Sequence, residues 1–265
     1  MKKNWKQELI QKWDKSVSYT FQGNKADIYY YDEITTTMEF ANKMARDNCP
    51  NGTIIVAKKQ NKGHGRLKRT WHSSKGGLYF TMVLRPDLSI SSSFKINYAA
   101  SLSIALILQK LFEIPAKVKW PNDVLVHGKK ISGMISEMSA DSQKIHYINI
   151  GIGINVNNDP QSYEPKAISI KNIIKHSITI DTVLQAFLKE FEKQSDNIDN
   201  KNIISKWKDI NCTLGNQVKI VTSEKTFEGQ AIDIDETGAL IIKQNNGCLK
   251  HVIYGDCFHN ESYYS

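Results

Sequence analysis

Segments with strand and helix patterning alternate along most of this chain, and near residue 212 the helices stop. That switch constrains the fold more than any other feature. Alternating elements layer helices on a sheet, whereas short strands separated by tight turns curl into a small barrel. In the body, Thr53 to Ala57 (Thr-Ile-Ile-Val-Ala) is β-branched and apolar throughout, the mark of a buried strand. Ile28 to Tyr31 and Leu78 to Leu84 read as further strands, the second stopped at Arg85-Pro86. Met38 to Arg46 has helical spacing, with threonines ahead of it that can cap its N-terminus. Lys95 to Leu111 is the long core helix, ending before Ile114-Pro115. Val124 to Val126 and Lys130 to Ile135 flank a compact hairpin turn at His127-Gly128-Lys129. Ile145 to Val156 is a strand interrupted by Gly151 and Gly153, and helices at Val183 to Phe191 and Ile203 to Trp207 close the body. Beyond it, Val218 to Val221, Phe227 to Ile234, Ala239 to Ile242 and Leu249 to Ile253 form four short strands. Turns at Glu236-Thr237-Gly238 and Asn245-Asn246-Gly247 separate them. The expected organisation is an N-terminal extension (1–27), an α/β body (28–211) and a small β-barrel (212–265).

Charge and cysteine content narrow the classes. The net charge is +8, but the lysines are scattered, which describes a solvated basic surface rather than a nucleic-acid-binding arm. Four cysteines (Cys49, Cys212, Cys248, Cys257) show no Cys-x-x-Cys spacing, so they read as reduced thiols in a reducing compartment. The longest apolar stretch, Tyr98 to Leu108, is interrupted by Ser101 and Ser103 and falls short of the roughly 20 residues a bilayer needs. Met1 to Lys6 lacks the apolar core of a signal peptide. A cytoplasmic protein without a membrane partner is expected. Trp5, Trp13 and Trp207 read as packing residues, and the histidines other than His64 as structural or surface groups.

Two stretches carry chemistry. Gly63-His64-Gly65-Arg66-Leu67-Lys68-Arg69-Thr70-Trp71 is a glycine-punctuated basic loop. Its glycines permit close backbone approach to an anion, and Arg66 and Arg69 supply planar, permanently charged donors for phosphate oxygens. It lacks the Gly-Lys-Ser/Thr ending of a Walker loop and the third glycine of the dinucleotide-binding fingerprint. The second stretch is Lys119-Trp120-Pro121-Asn122-Asp123. Strand alternation over Ala116 to Lys119 puts Lys117 and Lys119 on one face and Val118 on the other, leaving Lys119 as a fixed point charge beside a Trp-Pro turn. Read alone, the loop is as consistent with an exposed basic turn as with an anion site, and Lys119 more consistent with a surface lysine than with a ligand.

Together the motifs resemble those of the biotin protein ligases. That family carries a Gly-Arg-Gly-Arg-x-x-Arg-x-Trp loop, a Lys-Trp-Pro-Asn-Asp turn, a Lys-x-x-Gly-x-x-x-Glu strand and a Gly-x-Gly-x-Asn strand. This chain has all four in order, the third as Lys130 to Glu137 and the fourth as Gly151 to Asn155. Thr36-Thr37-Met38 loosely matches an upstream Ser-Thr-Asn element. The chain departs from the pattern at His64, where the family has arginine, and at Met38, where it has asparagine.

The resemblance implies an α+β fold. Its central mixed β-sheet is flanked by helices, like a class II aminoacyl-tRNA-synthetase catalytic domain, and is followed by a small Src-homology-3-like barrel. It also implies roles. Thr36, Thr37 and Gln60 would hydrogen-bond the ureido ring of biotin, and Gly63, His64 and Arg66 would lie along biotin and the phosphate. Lys119 would contact the reacting carboxylate and α-phosphate, with Arg66 and Arg69 as further catalytic cations. Gly133, Gly151 and Gly153 would let biotin and nucleotide pack against the sheet, whose strand Leu78 to Leu84 would wall the biotin ring and tail. Arg66, Arg69, Trp71, Asn122, Gly153 and Asn155 would face the adenylate, and Asp123 is a candidate to approach Mg²⁺.

The implied reaction makes biotinyl-5′-AMP from biotin and ATP, then transfers biotin to a lysine of the biotin carboxyl carrier domain of a carboxylase. A homodimer through a sheet edge is also implied. Lipoate or octanoate transfer on the same fold is the near alternative, but its Arg-Arg-x-x-Gly-Gly-Gly loop is not found here. A biotin-sensing repressor is the other, and only 27 residues precede the first expected body strand, too few for a winged helix-turn-helix. No DNA partner is therefore expected.

Overall fold

The computed structural model describes residues 15–196, 198 and 202–259, so Trp5 and Trp13 lie outside the described residues. Eight strands form the main sheet: β1 (Lys15–Phe21), β2 (Asn24–Ile34), β3 (Ile54–Gln60), β4 (Leu78–Leu84), β5 (Lys117–Lys119), β6 (Asp123–Val126), β7 (Lys129–Ala140) and β8 (Ile145–Ile154). They lie in the order β1-β2-β3-β4-β8-β7-β6-β5. β2 and β3 run parallel and the other neighbours antiparallel, so the sheet is mixed.

Apolar runs mark the strands that are covered on both faces. All of β4 is buried. Its Leu78, Phe80, Met82 and Leu84 join the large core formed with helices Phe94–Phe112, Ile180–Ser195 and Asn202–Asp209, while Val83 joins a smaller core on the opposite face. β3 divides the same way, Ile54 and Val56 against Ile55 and Ala57. In the large core Phe80 meets Phe187 edge-on at 5.2 Å, and Phe187 stacks on Phe191 at 5.3 Å. Burying one such ring is worth roughly 1.5–3 kcal/mol. The second face is covered by helix Thr37–Arg46, which packs Ala41, Met44 and Ala45 against Tyr29, Tyr31 and Ile55. Thr36 caps it, its hydroxyl accepting from Met38 N at 3.3 Å. That short helix leaves the neighbouring surface of β7 and β8 for the candidate site.

Five strands make a second, antiparallel sheet: β9 (Gln217–Val221), β10 (Thr226–Ile234), β11 (Leu240–Lys243), β12 (Leu249–Val252) and β13 (Asp256–His259), in the order β12-β11-β10-β9-β13. β13 is a strand the sequence pattern did not reveal. Gly238 turns the chain at φ +77, and Asp235 Oδ1 accepts from the amides of Thr237 and Ala239 there. The two sheets meet at the Lys-Trp-Pro-Asn-Asp turn, whose Trp120–Pro121 peptide is cis. Trp120 Nε1 and Tyr98 OH both donate to the Gly238 carbonyl, at 3.2 and 3.0 Å, and Trp120 N donates to Thr213 Oγ1 at 2.9 Å.

One expectation is corrected. Residues 15–21, read as part of an extension, form β1, which pairs antiparallel with β2 as the edge of the main sheet. Its side chains are mostly exposed, so the segment carries little apolar signal. No helix among the described residues is long and apolar enough to cross a membrane.

Candidate functional site

The floor of the site is built by backbone pairing. Gly133 on β7 lies opposite Gly153 on β8, and Gly151 lies between Ile135 and Thr81. These glycines leave room that the Trp71 indole occupies. A Cβ on Gly153 would fall 2.3 Å from Trp71 Cε2, and one on Gly133 would fall 3.1 Å from Cζ3. Gly133 and Gly153 therefore seat Trp71 directly, where biotin and nucleotide were expected to pack. A Cβ on Gly151 would lie 3.0 Å from the methyl of Met38, a buried residue lining the cavity. Lys130 Nζ stands 5.3 Å over the Trp71 ring, and Trp71 Nε1 is buried without an acceptor among the described residues.

At the inner end a fixed polar cluster forms. Gln60 Oε1 accepts from Thr37 N at 2.8 Å and from its hydroxyl at 3.1 Å. Thr37 Oγ1 lies 2.7 Å from Thr81 Oγ1, and Gln60 Nε2 donates to Ser73 Oγ at 2.8 Å. Thr36, Thr37, Gln60 and Thr81 all line the cavity. Thr81 is the only β4 residue that does. Leu78, Phe80, Met82 and Leu84 of that strand, expected to wall the ligand, belong instead to the core on the other face, and Val83 to the smaller core.

The cations come from the basic loop and the end of β5. Gly63 O accepts from Trp71 N at 2.9 Å and Gly65 N donates to Arg69 O at 2.8 Å, so the loop closes on itself. A Cβ on Gly63 would fall 2.5 Å from Trp71 O, which explains the glycine. Arg66 Nη1 donates to Asn122 Oδ1 at 3.3 Å and to Gly255 O at 3.1 Å. Burial pushes the Arg66 pKa below its ordinary value, opposed by Asp256 and Asp123. Arg69 is ion-paired with Asp256 and lies 5.9 Å over the Phe258 ring. Lys119, ending β5, lines the cavity and makes no side-chain hydrogen bond or ion pair among the described residues. Close to it, burial and then the Lys119 charge push His259 down to about 4, so this imidazole is neutral. Burial raises Cys212 to about 11 and Cys257 to about 12, which keeps both as thiols at neutral pH.

Asn155 also lines the cavity, its Oδ1 accepting from Asn158 Nδ2 at 2.9 Å. His72 packs on Tyr163 with ring centroids 4.5 Å apart. The whole cavity measures about 410 Å³. Apart from the apolar residues of β4, it gathers every residue expected of the site except Gly63, whose loop lines it. It also holds His72, Lys130, Tyr163, Asp256 and Phe258, to which sequence reasoning gave no such role. Asp123, the candidate magnesium contact, is committed to Lys130 at 2.7 Å. No group of three or more His, Cys, Asp or Glu side chains among the described residues is placed to hold a metal.

Such a cavity suits an extended ligand with two polar ends joined by an anionic centre. Comparison with known proteins agrees. Residues 30–155 match the biotin/lipoate A/B protein ligase family, and residues 213–260 match the biotin protein ligase C-terminal domain. The bifunctional ligase/repressor BirA of Bacillus subtilis (strain 168) is 32% identical over 231 residues, covering 84% of this chain and 71% of that protein. The biotin--[acetyl-CoA-carboxylase] ligase of Paracoccus denitrificans is 28% identical over 200 residues, covering 71% and 83%. Among solved structures, the biotin protein ligase from Aquifex aeolicus in complex with biotin and ATP superposes with a TM-score of 0.76 at 30% identity. That match covers 88% of this chain and 98% of the other.

Proposed function

The chain belongs to the biotin protein ligase family, and from that premise we propose that it is an ATP-dependent ligase that activates biotin and attaches it to a carrier-protein lysine. The observation that carries this reading is the set of environments gathered in one cavity. Its lining joins a hydrogen-bonded cluster of Thr36, Thr37 and Gln60, the cations Lys119, Arg66 and Arg69, and Asn155. Biotin's ureido ring fits the first, its carboxylate and the α-phosphate the second, and the adenylate the third.

A carboxylate is a poor acyl donor, so attack on the α-phosphorus of ATP first turns it into a mixed anhydride, biotinyl-5′-AMP, with pyrophosphate as the leaving group. Lys119 supplies a standing positive charge where that negative charge builds up, and Arg66 and Arg69 add donors from the loop. Magnesium would accompany ATP as its counter-ion and help to neutralise the phosphates. The carrier lysine then attacks the anhydride carbonyl and AMP departs. No enzyme nucleophile is needed, and the buried thiols nearest the cations are protonated.

The acceptor is the biotin carboxyl carrier domain of a carboxylase, in keeping with relatives named for acetyl-CoA carboxylase. The body is of the class II aminoacyl-tRNA-synthetase type and the C-terminal sheet closes as a Src-homology-3-like barrel, with the boundary near residue 212. Pairing through a sheet edge would give a homodimer, measurable by light scattering. Free cysteines at 49, 212, 248 and 257 suit a reducing cytoplasm. Biotin-dependent ATP–pyrophosphate exchange tests the reading. Exchange should require biotin, lipoate should not replace it, and Arg66→Ala and Lys119→Ala should each depress it. Exchange driven by lipoate alone would assign the chain to the other branch of the family.

A further inference from the structure

His64, the residue that departs from the family's arginine, has a specific partner. Its Nε2 lies 3.7 Å from Glu137 Oε1, with both side chains about two-fifths exposed at the rim. Glu137 is not loosely placed. Its other oxygen accepts from Asn42 Nδ2 at 2.5 Å, and Asn42 Oδ1 accepts from Asn149 Nδ2 at 2.7 Å. Asn149 is fully buried on β8, directly opposite Glu137 on β7. The order of donors fixes the order of roles. Because Asn42 spends its oxygen on Asn149, its amide nitrogen must face Glu137, and the carboxylate is held as an acceptor pointing at the loop.

The loop has two margins. Toward the C-terminal sheet it is tied by Arg66 to Gly255 O and by Arg69 to Asp256. Toward helix Thr37–Arg46, His64–Glu137 is the side-chain tie that the described residues provide. Between these margins the loop covers the cavity, with His64, Gly65, Arg66 and residues 69–72 in its lining.

We propose that Glu137, oriented by Asn42 and Asn149, is a positioning residue that latches His64 and so holds the loop closed over the activated acyl intermediate. Glu137 touches no substrate in this role and acts through His64. The function assigned is retention of the mixed anhydride until the acceptor lysine arrives, and the inference rests on the ligase reading above. A rim contact of this kind, an ion pair only while the His64 ring is protonated, is weak, so its expected effect is a change in release rate of about threefold rather than a loss of activity.

The test is to form biotinyl-5′-AMP on the enzyme from labelled biotin and ATP, remove free ligand, and follow release of the adenylate. Glu137→Lys and His64→Glu should each release it about threefold faster than the starting protein. The double variant, with the charges exchanged, should return toward the original rate. Asn42→Ala should accelerate release in the same direction through the disoriented carboxylate, while His64→Arg, with its permanent charge, should slow it. Equal release rates in the single variants, or a double variant no slower than the singles, would overturn the latch. Failure of the starting protein to form any adenylate would remove the ligase reading and the latch with it. Adenylate formation with unaltered release removes the latch alone.

Discussion

Lys119 and the Arg66–Arg69 pair bring the same sign of charge to one cavity but are held in different ways. Lys119 closes a strand laddered to β6 and has no counter-ion among the described residues. The arginines ride on a self-closed loop, and each already has acceptors, Asn122 and Gly255 for one and Asp256 for the other. A cation without a partner offers its full field to an incoming phosphate. A paired one must first exchange a bond. The difference separates a charge that stands ready from charges that are brought in as the loop settles on its ligand.

Removing the standing charge should therefore do most damage. Lys119→Ala is expected to lower biotin-dependent exchange by about 10²–10³-fold, the range seen when a donor to a developing negative charge is deleted. If Arg69→Ala proves as severe, the distinction drawn above collapses. Gly153→Ala comes next. The new methyl would sit 2.3 Å from the Trp71 indole, so the ring must leave its seat and drag the loop with it. Displacing a positioning group in this way should cost about tenfold in kcat/KM, and steady-state kinetics on a variant of unchanged Tm would isolate it from general unfolding. Asp256→Asn should be milder, lowering KM for ATP about threefold because Arg69 no longer has a bond to exchange before it meets a phosphate. That change should shrink in high salt, whereas the Lys119 effect should persist.

The smallest effect concerns acid stability near Lys119. His259 has a folded pKa of about 4, below its ordinary value of 6.5. Between those values the unfolded chain binds more protons than the native one, so stability rises with pH through this window and falls as acid is added. With the group partly exposed, the contribution is about 1 kcal/mol after allowing for solvent screening. His259→Gln should flatten the pH 4–6.5 slope of the urea midpoint by that amount, and an unchanged slope would show that the imidazole charges freely.

Much of this contrast could be read in the sequence, and what could not has a physical cause. Alternation placed Val118 opposite Lys119, and Val118 is fully buried. The His127-Gly128 turn forms with positive φ at both residues, as a tight hairpin demands. These are local consequences of strand geometry. Asp256 escaped notice because its partner lies 187 positions earlier in the chain, and no local pattern reports such a pairing. The seat of Trp71 was half visible. Glycines at 133, 151 and 153 announced a side-chain-free floor, but only the register of β7 on β8 sets Gly133 against Gly153 and so decides what lies there. Strand β1 escaped for a different reason: an exposed edge strand needs few apolar residues, so its composition resembles that of a loop.

The carbonyl of Gly238 receives two donors, Tyr98 from the long helix and Trp120 from the turn that begins at Lys119. Its own α-carbon leaves no room for a side chain, since a Cβ would strike the Phe94 ring at 2.3 Å. One peptide of the C-terminal sheet thus helps to set the position of the charge on which the chemistry turns. For anyone recombining such enzymes, the C-terminal unit is not an interchangeable cassette. A chimera that imports a foreign one must bring a glycine and a carbonyl to this spot, or inherit a misplaced lysine at the other end of the turn.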